Sequence, residues 1–343
     1  MTSPRITVAL SVYNNAAYLA LALDSILAQS FADFELLAVN DGSSDASPAI
    51  LDRYAASDPR VQVIHQSNQG LIPSLNRIIA EARAPYIARM DGDDIAHPDR
   101  FAQQIAFLEA HPDHGVLGTR VFGITETGDL RRDWTIDHPI TPDAVIAALE
   151  DGPLLCHPSV MMRRDLVRAV GGYRAAYRHC EDYDLWLRLA ERTHMANLPD
   201  RLLYYRYSPT QVSNRHVMAQ HYGAAVARLA RAERLAGRPD PTDAWQVLPP
   251  IDALDAAFDR PGTAQAIRAE VTRGILFDPA SLAGDGLPLI AAHLAETRGH
   301  AGQRVGGQRV RGLWRAVARL ARSGRPVAAW RLARTLARDA VRR

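Results

Sequence analysis

Apolar and polar positions alternate along the chain in blocks that predict strands and helices. Continuously apolar blocks rich in β-branched residues predict buried strands over 5–13, 34–39, 61–65, 86–90, 115–124 and 155–163. Apolar residues at helical spacing predict helices over 17–29, 47–56, 71–81, 99–111 and 164–170, with another from residue 181. The polar segment 125–153 is predicted to be a surface connection. Strands that alternate with helices in this way predict a mostly parallel sheet covered by helices on both faces.

Polar residues follow four of the predicted strands at the point where each strand ends. They are Tyr13-Asn14, Asp41-Gly42-Ser43, Asn68 to Gly70 and Asp91 to Asp94. In open α/β sheets, ligands bind outside the carboxyl ends of the strands, and parallel strands bring these ends to one edge. We therefore expect all four clusters to contribute to a single binding site.

The fourth cluster, Asp91-Gly92-Asp93-Asp94, carries three carboxylates within four residues. Carboxylates this close repel one another unless a positive charge lies between them. Hard divalent ions prefer oxygen ligands, so Mn²⁺ or Mg²⁺ is the expected partner. The alternative is an acidic turn that caps the helix beginning near Asp99. The three other clusters at the same edge favour the metal site.

Composition narrows the class of protein. The 343 residues suffice for one large domain and an appendage. The only two cysteines, Cys156 and Cys180, are interpreted as buried thiols in a reducing cytosol. The chain has neither a glycine-rich dinucleotide fingerprint nor any lysine for a phosphate loop, which disfavours nicotinamide, flavin and P-loop enzymes. Without a leader peptide or a long apolar run, we expect a cytoplasmic protein, either free or peripheral at the inner face of the plasma membrane.

The C-terminal segment 304–343 is strongly basic, whereas the rest of the chain is acidic. It contains 12 arginines and one acid, Asp339, while residues 1–303 contain 28 arginines and 37 acids. Its pattern predicts two amphipathic helices separated by Gly324-Arg325-Pro326. Basic amphipathic helices with tryptophan are typical of elements that bind an anionic membrane surface. The alternative is a helix pair docked on the acidic body, and no nucleic-acid-binding fold accompanies the charge.

Several motifs occur together in one order along the chain. They are Ser11-Val12-Tyr13-Asn14, Asn40 to Asp45, Asn68-Gln69-Gly70 with Asn76, Asp91-Gly92-Asp93-Asp94, Gly171-Gly172-Tyr173 and Glu181 to Trp186. In this order and spacing, the chain resembles the family 2 glycosyltransferases with the GT-A fold. The resemblance covers roughly residues 5–207 and is specific only through the combination of motifs.

The resemblance implies a domain organisation. A GT-A catalytic domain, Rossmann-like with a mostly parallel sheet flanked by helices, is expected over 1–207. Its nucleotide half is about 1–94 and its acceptor half about 95–207. The resemblance does not extend beyond this domain. Residues 208–303 are rich in Ala and Leu with turn breaks, which predicts a helical appendage, and the basic amphipathic tail at 304–343 follows.

The implied reaction is metal-dependent transfer of a sugar, with inversion, from a nucleoside diphosphate sugar to a glycan or glycolipid acceptor hydroxyl. A UDP-sugar is the expected donor. By resemblance, Asp93 and Asp91 hold the metal, with Asp91 also close to the ribose. The residues implied in nucleotide binding are Val12, Tyr13, Asn14, Asp41, Gly70, Asn76, Arg77 and Asp91. Asp41 is expected to accept a hydrogen bond from the nucleobase.

Asp182 matches the catalytic base of the family, with Glu181 beside it. The charges of Glu181 and Asp184 in the same helical turn are expected to raise the proton affinity of Asp182, as suits a base near neutral pH. The alternative is that these acids only complement the dipole at the start of a helix. His157, Gly172 and Trp186 are candidates for contact with the acceptor or the diphosphate, although His157 and Trp186 also suit a packed core.

Two features refine the expected activity. The Gln-x-x-Arg-Trp signature of processive relatives is absent, which favours addition of one sugar at a time. Ser208 stands where many relatives have a histidine after the pair Tyr205-Arg206, so any third metal ligand is open. The alternative functions are a catalytically silent sugar-nucleotide-binding protein or a membrane-surface scaffold. A nucleotidylyltransferase is disfavoured because Val12 to Asn15 is not a basic, glycine-rich loop.

Overall fold

The computed structural model describes residues 3–131, 137–150, 154–208, 216–276, 278, 281–282, 286–298, 305–322 and 324–341. The chain divides into two compact units. Unit 1 comprises residues 1–175 and 181–208, and unit 2 comprises residues 176–180 and 209–343. All of the residues that the sequence predicts to form the catalytic site fall in unit 1.

Unit 1 is built around one eight-stranded sheet. Its strands are β1 (Ile6–Val12), β2 (Phe34–Asp41), β3 (Val61–Gln66), β4 (Tyr86–Asp91), β5 (Ile95–Ala96), β6 (His114–Ile124), β7 (Met161–Arg163) and β8 (His194–Arg206). Their spatial order is β3-β2-β1-β4-β7-β6-β8-β5. Strands β3, β2, β1 and β4 are mutually parallel, as are β6 and β8, whereas β7 and β5 run antiparallel to their neighbours. The prediction of a mostly parallel sheet is confirmed.

Helices cover the sheet of unit 1 because each has an apolar face. They are α1 (Leu19–Leu27), α2 (Ser47–Ser57), α3 (Leu71–Glu81), α4 (Arg100–Ala110), α5 (Pro142–Ala148), α6 (Arg164–Ala169) and α7 (Glu181–Leu189). In α3, for example, Ile72, Leu75 and Ile78 are buried at helical spacing. A short 3₁₀ helix, His157–Ser159, precedes β7.

The register of the parallel strands aligns their carboxyl ends. Ser11 of β1 is opposite Asp91 of β4, Val12 is opposite Asn40 of β2, and β2 continues to Asp41. Asp41 in turn is opposite Gln66, the last residue of β3. The four polar clusters therefore follow strands that end at the same level, as the sequence predicts.

Two sequence-based predictions of local structure are wrong, and strands β5 and β8 were not predicted. The segment 125–153 contains helix α5, which Thr141 caps by accepting from Ala144 N–H; residues 132–136 and 151–153 lie outside the described part. The apolar run 155–163 forms a strand only at Met161–Arg163, since Pro158 lies in the 3₁₀ turn before it. Strand β8 was not predicted, although it pairs with almost the full length of β6.

Unit 2 is helical where it is described, in agreement with the predicted appendage. Its α-helices are α8 (Val217–Leu235), α9 (Leu254–Ala257), α10 (Thr263–Ile275), α11 (Gly286–Arg298), α12 (Val305–Arg322) and α13 (Pro326–Val341). α8 packs on α10, α10 on α11, and α13 on both α11 and α12. Among the described residues, no helix has the length and apolar character that crossing a membrane requires. Residues 304, 323, 342 and 343 of the basic segment lie outside the description.

Candidate active site

The loops that follow β1 and β2 are tied together by hydrogen bonds. Asn14 N–H donates to Ser43 Oγ at 3.0 Å, and Ser44 N–H donates back to Asn14 Oδ1 at 2.8 Å. Asp45 accepts from Ala16 N–H at 2.9 Å. Asn14 itself has a φ of 53°, a left-handed conformation that asparagine tolerates. The first two polar clusters thus form one rigid rim at the edge of the sheet.

Close backbone packing joins this rim to the third cluster. Gly42 has a φ of +71°, and a Cβ at this position would lie 2.6 Å from the main-chain N of Asn68. At the end of β1, Val12 is buried, whereas the Tyr13 side chain is 52% exposed. Of these two predicted nucleotide-binding residues, Tyr13 therefore has the side chain available to a ligand.

Asp41 organises the loop between β3 and α3. Its carboxylate is buried and accepts from Gln69 N–H at 2.8 Å, Gly70 N–H at 2.7 Å and Gln66 Nε2 at 2.8 Å. Three donors leave little of its acceptor capacity for a nucleobase. Recognition of the nucleobase by Asp41 stays a prediction. Gly70 belongs to the same loop and helps to fix it through the hydrogen bond from its N–H to Asp41.

Asn76 and Gly172 meet between α3 and the turn after α6. Asn76 Nδ2 donates to Tyr173 O at 2.7 Å, and Tyr173 N–H donates to Asn76 Oδ1 at 2.8 Å. Gly172 has a φ of +69°, and a Cβ there would lie 2.6 Å from Asn76 Oδ1. Arg77, next along α3, donates to Gln66 Oε1 at 2.9 Å. These contacts link the predicted nucleotide and acceptor halves of unit 1 through the main chain of Tyr173.

The acidic cluster has the geometry of a cation site. One carboxylate oxygen from each of Asp91, Asp93 and Asp94 can be chosen so that the three lie within 4.8 Å of one another. Burial and the neighbouring Asp91 charge raise the pKa of Asp93 to about 6. Burial, with Asp93 and Asp91, also raises the pKa of Asp94 well above its usual range. Among the described residues, Asp94 Oδ2 is buried without a hydrogen-bond partner. A divalent cation would reduce the repulsion among the three carboxylates and would give Asp94 Oδ2 a partner.

Arg206, at the end of β8, fixes the backbone of the acidic cluster. Its N–H donates to Asp94 Oδ1 at 2.8 Å, and its Nε donates to Asp93 O at 2.7 Å. Its guanidinium also donates to the main-chain oxygens of Thr125 and Glu126, at 3.0 and 2.9 Å. Ser208, where relatives carry a histidine, donates to Glu126 Oε1. Asp94 is thus held by the fold, whereas Asp93 keeps its side chain for other contacts.

Arg89 is a site residue that the sequence analysis missed. Its side chain is buried in β4 and forms an ion pair with Asp91, two residues along the same strand and on the same face. Its charge also lowers the pKa values of Asp93, Asp94 and Asp182. An arginine inside an otherwise apolar strand is a signal that could have identified it.

Asp182 lies in the first turn of α7, within electrostatic reach of the acidic cluster. Burial raises its pKa, while a hydrogen bond from Tyr183 N–H and the charge of Arg89 lower it, and Asp91 raises it. Burial raises the pKa of the Tyr173 hydroxyl, and Asp182, Glu181 and Asp91 act on it in the same direction. The two predicted site segments therefore share one buried environment around Tyr173 and Arg89.

The neighbours of Asp182 differ from expectation. Asp184 is neutralised by two buried arginines: Arg174 donates to Oδ1 at 2.5 Å, and Arg188 donates to Oδ2 at 2.7 Å. Glu181 is buried at the start of the helix. The predicted upward direction of the Asp182 pKa agrees with the structure, but its largest cause is burial rather than the charges of Glu181 and Asp184.

His157 and Trp186 form a packed aromatic group beside Tyr173. His157 Nε2 lies 2.7 Å from the Tyr173 hydroxyl, and its ring meets the edge of Trp186 at 5.9 Å between centroids. Burial, reinforced by Arg89, lowers the pKa of His157 well below its usual value, so the ring is neutral. Trp186 is fully buried. Trp186 therefore lacks the exposure of a sugar-binding platform, whereas His157 is half-buried and its contact with acceptor or diphosphate stays a prediction. Burial raises the pKa of the Cys156 thiol well above its usual value.

Comparison with known proteins identifies the family. The profile of "Glycosyl transferase family 2" matches residues 7–171. The amylovoran biosynthesis glycosyltransferase AmsE of Erwinia amylovora is 32% identical over 213 residues, which are 61% of this chain and 79% of AmsE. The chain belongs to glycosyltransferase family 2. EpsE of Bacillus subtilis is 38% identical over 194 residues, 55% of this chain and 68% of EpsE.

Solved structures support the GT-A fold of this family 2 glycosyltransferase. TarS of S. aureus, in complex with UDP-GlcNAc, aligns with a TM-score of 0.55 at 16% identity over 86% of this chain and 92% of that structure. The mannosyltransferase PcManGT of Pyrobaculum calidifontis, in complex with GDP-Man and Mn²⁺, aligns with a TM-score of 0.52 at 17% identity over 99% of this chain and 88% of that one. The resemblance drawn from sequence motifs is confirmed at the level of family, fold and glycosyltransferase activity.

Proposed function

We propose that this glycosyltransferase transfers one sugar at a time, with inversion, from a UDP-sugar to a hydroxyl group of a glycan or glycolipid. The observation that carries the proposal is the buried environment shared by the Asp91–Asp94 cluster and Asp182 around Tyr173. One segment has the oxygen ligands for a divalent ion and the other has a carboxyl group with a raised pKa. Donor activation and acceptor deprotonation need these two groups near one another.

Asp93 and Asp91 would hold Mn²⁺ or Mg²⁺, with Asp94 supporting them through its bond to Arg206 N–H. The acidic oxygens and the orphaned Asp94 Oδ2 fit such an ion. When bound, the ion supplies positive charge to the leaving diphosphate, an effect worth several kcal/mol. The Mn²⁺ in the complex of PcManGT supports this proposal by analogy of fold.

Asp182 would act as the general base. Its carboxylate takes the proton of the acceptor hydroxyl while that oxygen bonds to the anomeric carbon and the bond to the diphosphate breaks. Attack opposite to the leaving group inverts the anomeric centre. A base with a raised pKa holds the accepted proton more firmly than an ordinary aspartate does, which favours transfer near neutral pH.

Synthesis of a cell-surface polysaccharide, lipopolysaccharide or other glycoconjugate is the proposed context. It is supported by the similarity to AmsE, a protein named for amylovoran biosynthesis. The sugar, the linkage and the acceptor would depend on residues around the Tyr173 environment and on loops of the acceptor half.

A purified chain tested with UDP-, GDP- and dTDP-sugars in Mn²⁺, Mg²⁺ or EDTA would decide the function. We expect metal-dependent release of nucleoside diphosphate, fastest with a UDP-sugar, and NMR of the transferred sugar should show inversion. Tight nucleotide-sugar binding without any turnover would instead identify the silent binding protein. Turnover that persists undiminished in EDTA would remove the metal from the proposal.

We also propose that the basic helices α12 and α13 attach the enzyme to an anionic membrane surface. Trp314, Val327 and Trp330 are exposed, and the Arg334 guanidinium lies 5.2 Å from the centroid of the Trp330 ring. Exposed aromatic residues among arginines suit the boundary between lipid headgroups and acyl chains. Anionic but not neutral vesicles should co-sediment the protein, and Trp314→Ala with Trp330→Ala should weaken this binding. Equal binding by the doubly substituted chain would contradict the proposal.

A further inference from the structure

A second group of metal-ligating side chains lies at the amino ends of β6 and β8. β6 begins at His114 and β8 at His194, and these two residues are paired in the sheet. Both strands run in the same direction as β4, because β7 is antiparallel to β4 and to β6. The acidic cluster follows the carboxyl end of β4. The two histidines are therefore at the opposite edge of the sheet from the proposed sugar-transfer site.

Asp113 joins the two imidazole rings. His114 Nδ1 lies 3.0 Å from Asp113 Oδ1, and His194 Nδ1 lies 2.9 Å from Asp113 Oδ2. The main chain holds the same residues, because His194 N–H donates to Asp113 O at 3.1 Å. The Thr193 hydroxyl donates to that oxygen as well, at 2.9 Å. The two histidines are thus held by paired strands, and Asp113 lies in the turn directly before β6.

The group packs against the protein through His114 and faces solvent through Asp113 and His194. The His114 ring is buried against Phe107, with 5.3 Å between the ring centroids in an edge-on contact. The Asp113 and His194 side chains are each 58% exposed. An ion could therefore reach the carboxylate and the His194 ring directly from water.

We propose that Asp113, His114 and His194 form a binding site for a transition-metal ion of the Zn²⁺ class. Their ligand atoms lie within 4.8 Å of one another. Two imidazole nitrogens and one carboxylate oxygen match the ligand preference of Zn²⁺, whereas Mg²⁺ takes oxygen ligands. Metal–ligand bonds of 2.0–2.1 Å in a tetrahedron place neighbouring ligand atoms about 3.3 Å apart. Each ring nitrogen faces a different oxygen of the carboxylate, at 3.0 Å for His114 and 2.9 Å for His194, and the distance from a ring nitrogen to the oxygen that it faces would need to widen by only a few tenths of an ångström.

The site would serve the fold rather than the sugar-transfer reaction. The ion would take the place of the proton on each Nδ1 that faces the carboxylate, so each neutral ring would carry its single proton on Nε2 instead. A water molecule would complete the tetrahedron on the open side. Because His114 and His194 are the first residues of two paired strands that are distant in sequence, the ion would hold β6 against β8.

Zinc titration of the full-length, metal-free chain without a histidine tag tests this inference. Mg²⁺ in excess should occupy the acidic cluster, and isothermal calorimetry then measures binding of Zn²⁺. We expect one Zn²⁺ per chain, with affinity at least about tenfold weaker in His194→Ala and in Asp113→Ala. Co²⁺ in place of Zn²⁺ should give the visible absorption of a tetrahedral site, and this absorption should be lost in the same variants.

His65→Ala is the matched control, since His65 forms a similar but solitary pair with Asp52 at 2.9 Å. It should leave Zn²⁺ affinity unchanged, and circular dichroism should confirm that every variant is folded. Equal zinc affinity in the wild type and His194→Ala would overturn the proposal. The three residues would then form only hydrogen bonds between histidine and aspartate. An equal loss in His65→Ala would also overturn it, because the binding would then be non-specific.

Discussion

Asn76 satisfies both main-chain polar groups of Tyr173, a residue 97 positions later in the chain. Tyr173 is buried, so these groups have no access to bulk water when Asn76 is lost. The first prediction is that Asn76→Ala lowers the free energy of unfolding by about 2–4 kcal/mol, because two buried groups lose their partners. Urea unfolding measures it.

Asn68→Ala is the matched control, since Asn68 is an exposed asparagine in the loop before the same helix. Its effect should remain within about 0.5 kcal/mol, as for other surface substitutions. Gly172→Ala should resemble Asn76→Ala, because its Cβ would displace Asn76 Oδ1 and its φ of +69° disfavours any side chain. If Asn76→Ala unfolds at the same urea concentration as the wild type, the link is not a source of stability.

The second prediction concerns the base. Asp182→Asn should lower the rate of sugar transfer by about 10²–10⁴-fold, because the amide cannot accept the acceptor proton. The dissociation constant of the nucleotide sugar should stay within about threefold, since the loss is confined to the transition state. Rapid-quench turnover and calorimetry measure the two quantities. Asp165→Asn, at an exposed carboxylate on α6, is the control and should leave both unchanged. Full turnover by Asp182→Asn would remove it from the base role.

The third prediction separates Asp93 from Asp94. Asp93→Ala should weaken Mn²⁺-dependent nucleotide binding at least about tenfold. It should not destabilise the metal-free chain, because burial and Asp91 already disfavour the charged form of Asp93. Asp94→Ala should instead cost about 1–3 kcal/mol of unfolding free energy by leaving Arg206 N–H without its acceptor. Asp94→Asn, which keeps an acceptor oxygen, should restore that stability. The division of roles is contradicted if both alanine variants lose stability equally.

The edge of the sheet and its four clusters were predictable from the sequence for a simple physical reason. Continuous apolar strands imply a sheet covered on both faces, and parallel strands end at one level, as the pairing of Ser11 with Asp91 illustrates. Strand β8 was not predictable in the same way. Pro199, Asp200 and Arg201 interrupt its apolar pattern, and its pairing with β6 joins residues some 80 positions apart.

Side-chain partners that are distant in sequence limited the prediction of the site. Asp184 was expected to raise the proton affinity of Asp182, but Arg174 and Arg188 form ion pairs with it. The spacing of Asp184 and Arg188 by four residues in one helix is visible in the sequence, whereas no local pattern marks Arg174. Asn76 matched a nucleotide motif, and its observed partner is the Tyr173 main chain. Family motifs therefore located the residues that meet at the site, while their individual tasks depended on contacts that only the fold defines.

The fourth prediction tests Arg89 as the buried charge that the acidic cluster and the base share. Arg89→Met should move the acid limb of the kcat/KM profile to higher pH, because Arg89 lowers the pKa of Asp182. Arg89→Lys retains the charge and should recover most of the shift. A variant that is merely misfolded would lose activity at every pH without moving the limb. If a folded Arg89→Met chain has the same pH profile of kcat/KM as the wild type, the charge of Arg89 does not act on Asp182.

The fifth prediction concerns stability in mild acid. Burial, reinforced by Arg89, holds the pKa of His157 in the folded chain well below 6.5, the ordinary value for histidine. Below that pH, the unfolded chain binds a proton at this position that the folded chain does not. The free energy of unfolding must then decrease as the pH is lowered, by about 1.4 kcal/mol for each pH unit per histidine. Above pH 6.5 neither state is charged, and His157 makes no contribution to the slope.

The comparison of wild type with His157→Gln between pH 6.5 and 5 isolates this contribution. Other buried histidines with lowered pKa values, such as His138, contribute equally to both proteins. Urea unfolding at each pH gives the free energy of unfolding. This free energy should depend more steeply on pH in the wild type than in His157→Gln, and the difference should correspond to one proton taken up on unfolding. Tyr173→Phe removes the hydrogen bond at 2.7 Å without opening the surroundings of His157 to solvent, so it should keep the wild-type slope. A slope lost in Tyr173→Phe would mean that the hydrogen bond, and not burial, keeps His157 neutral.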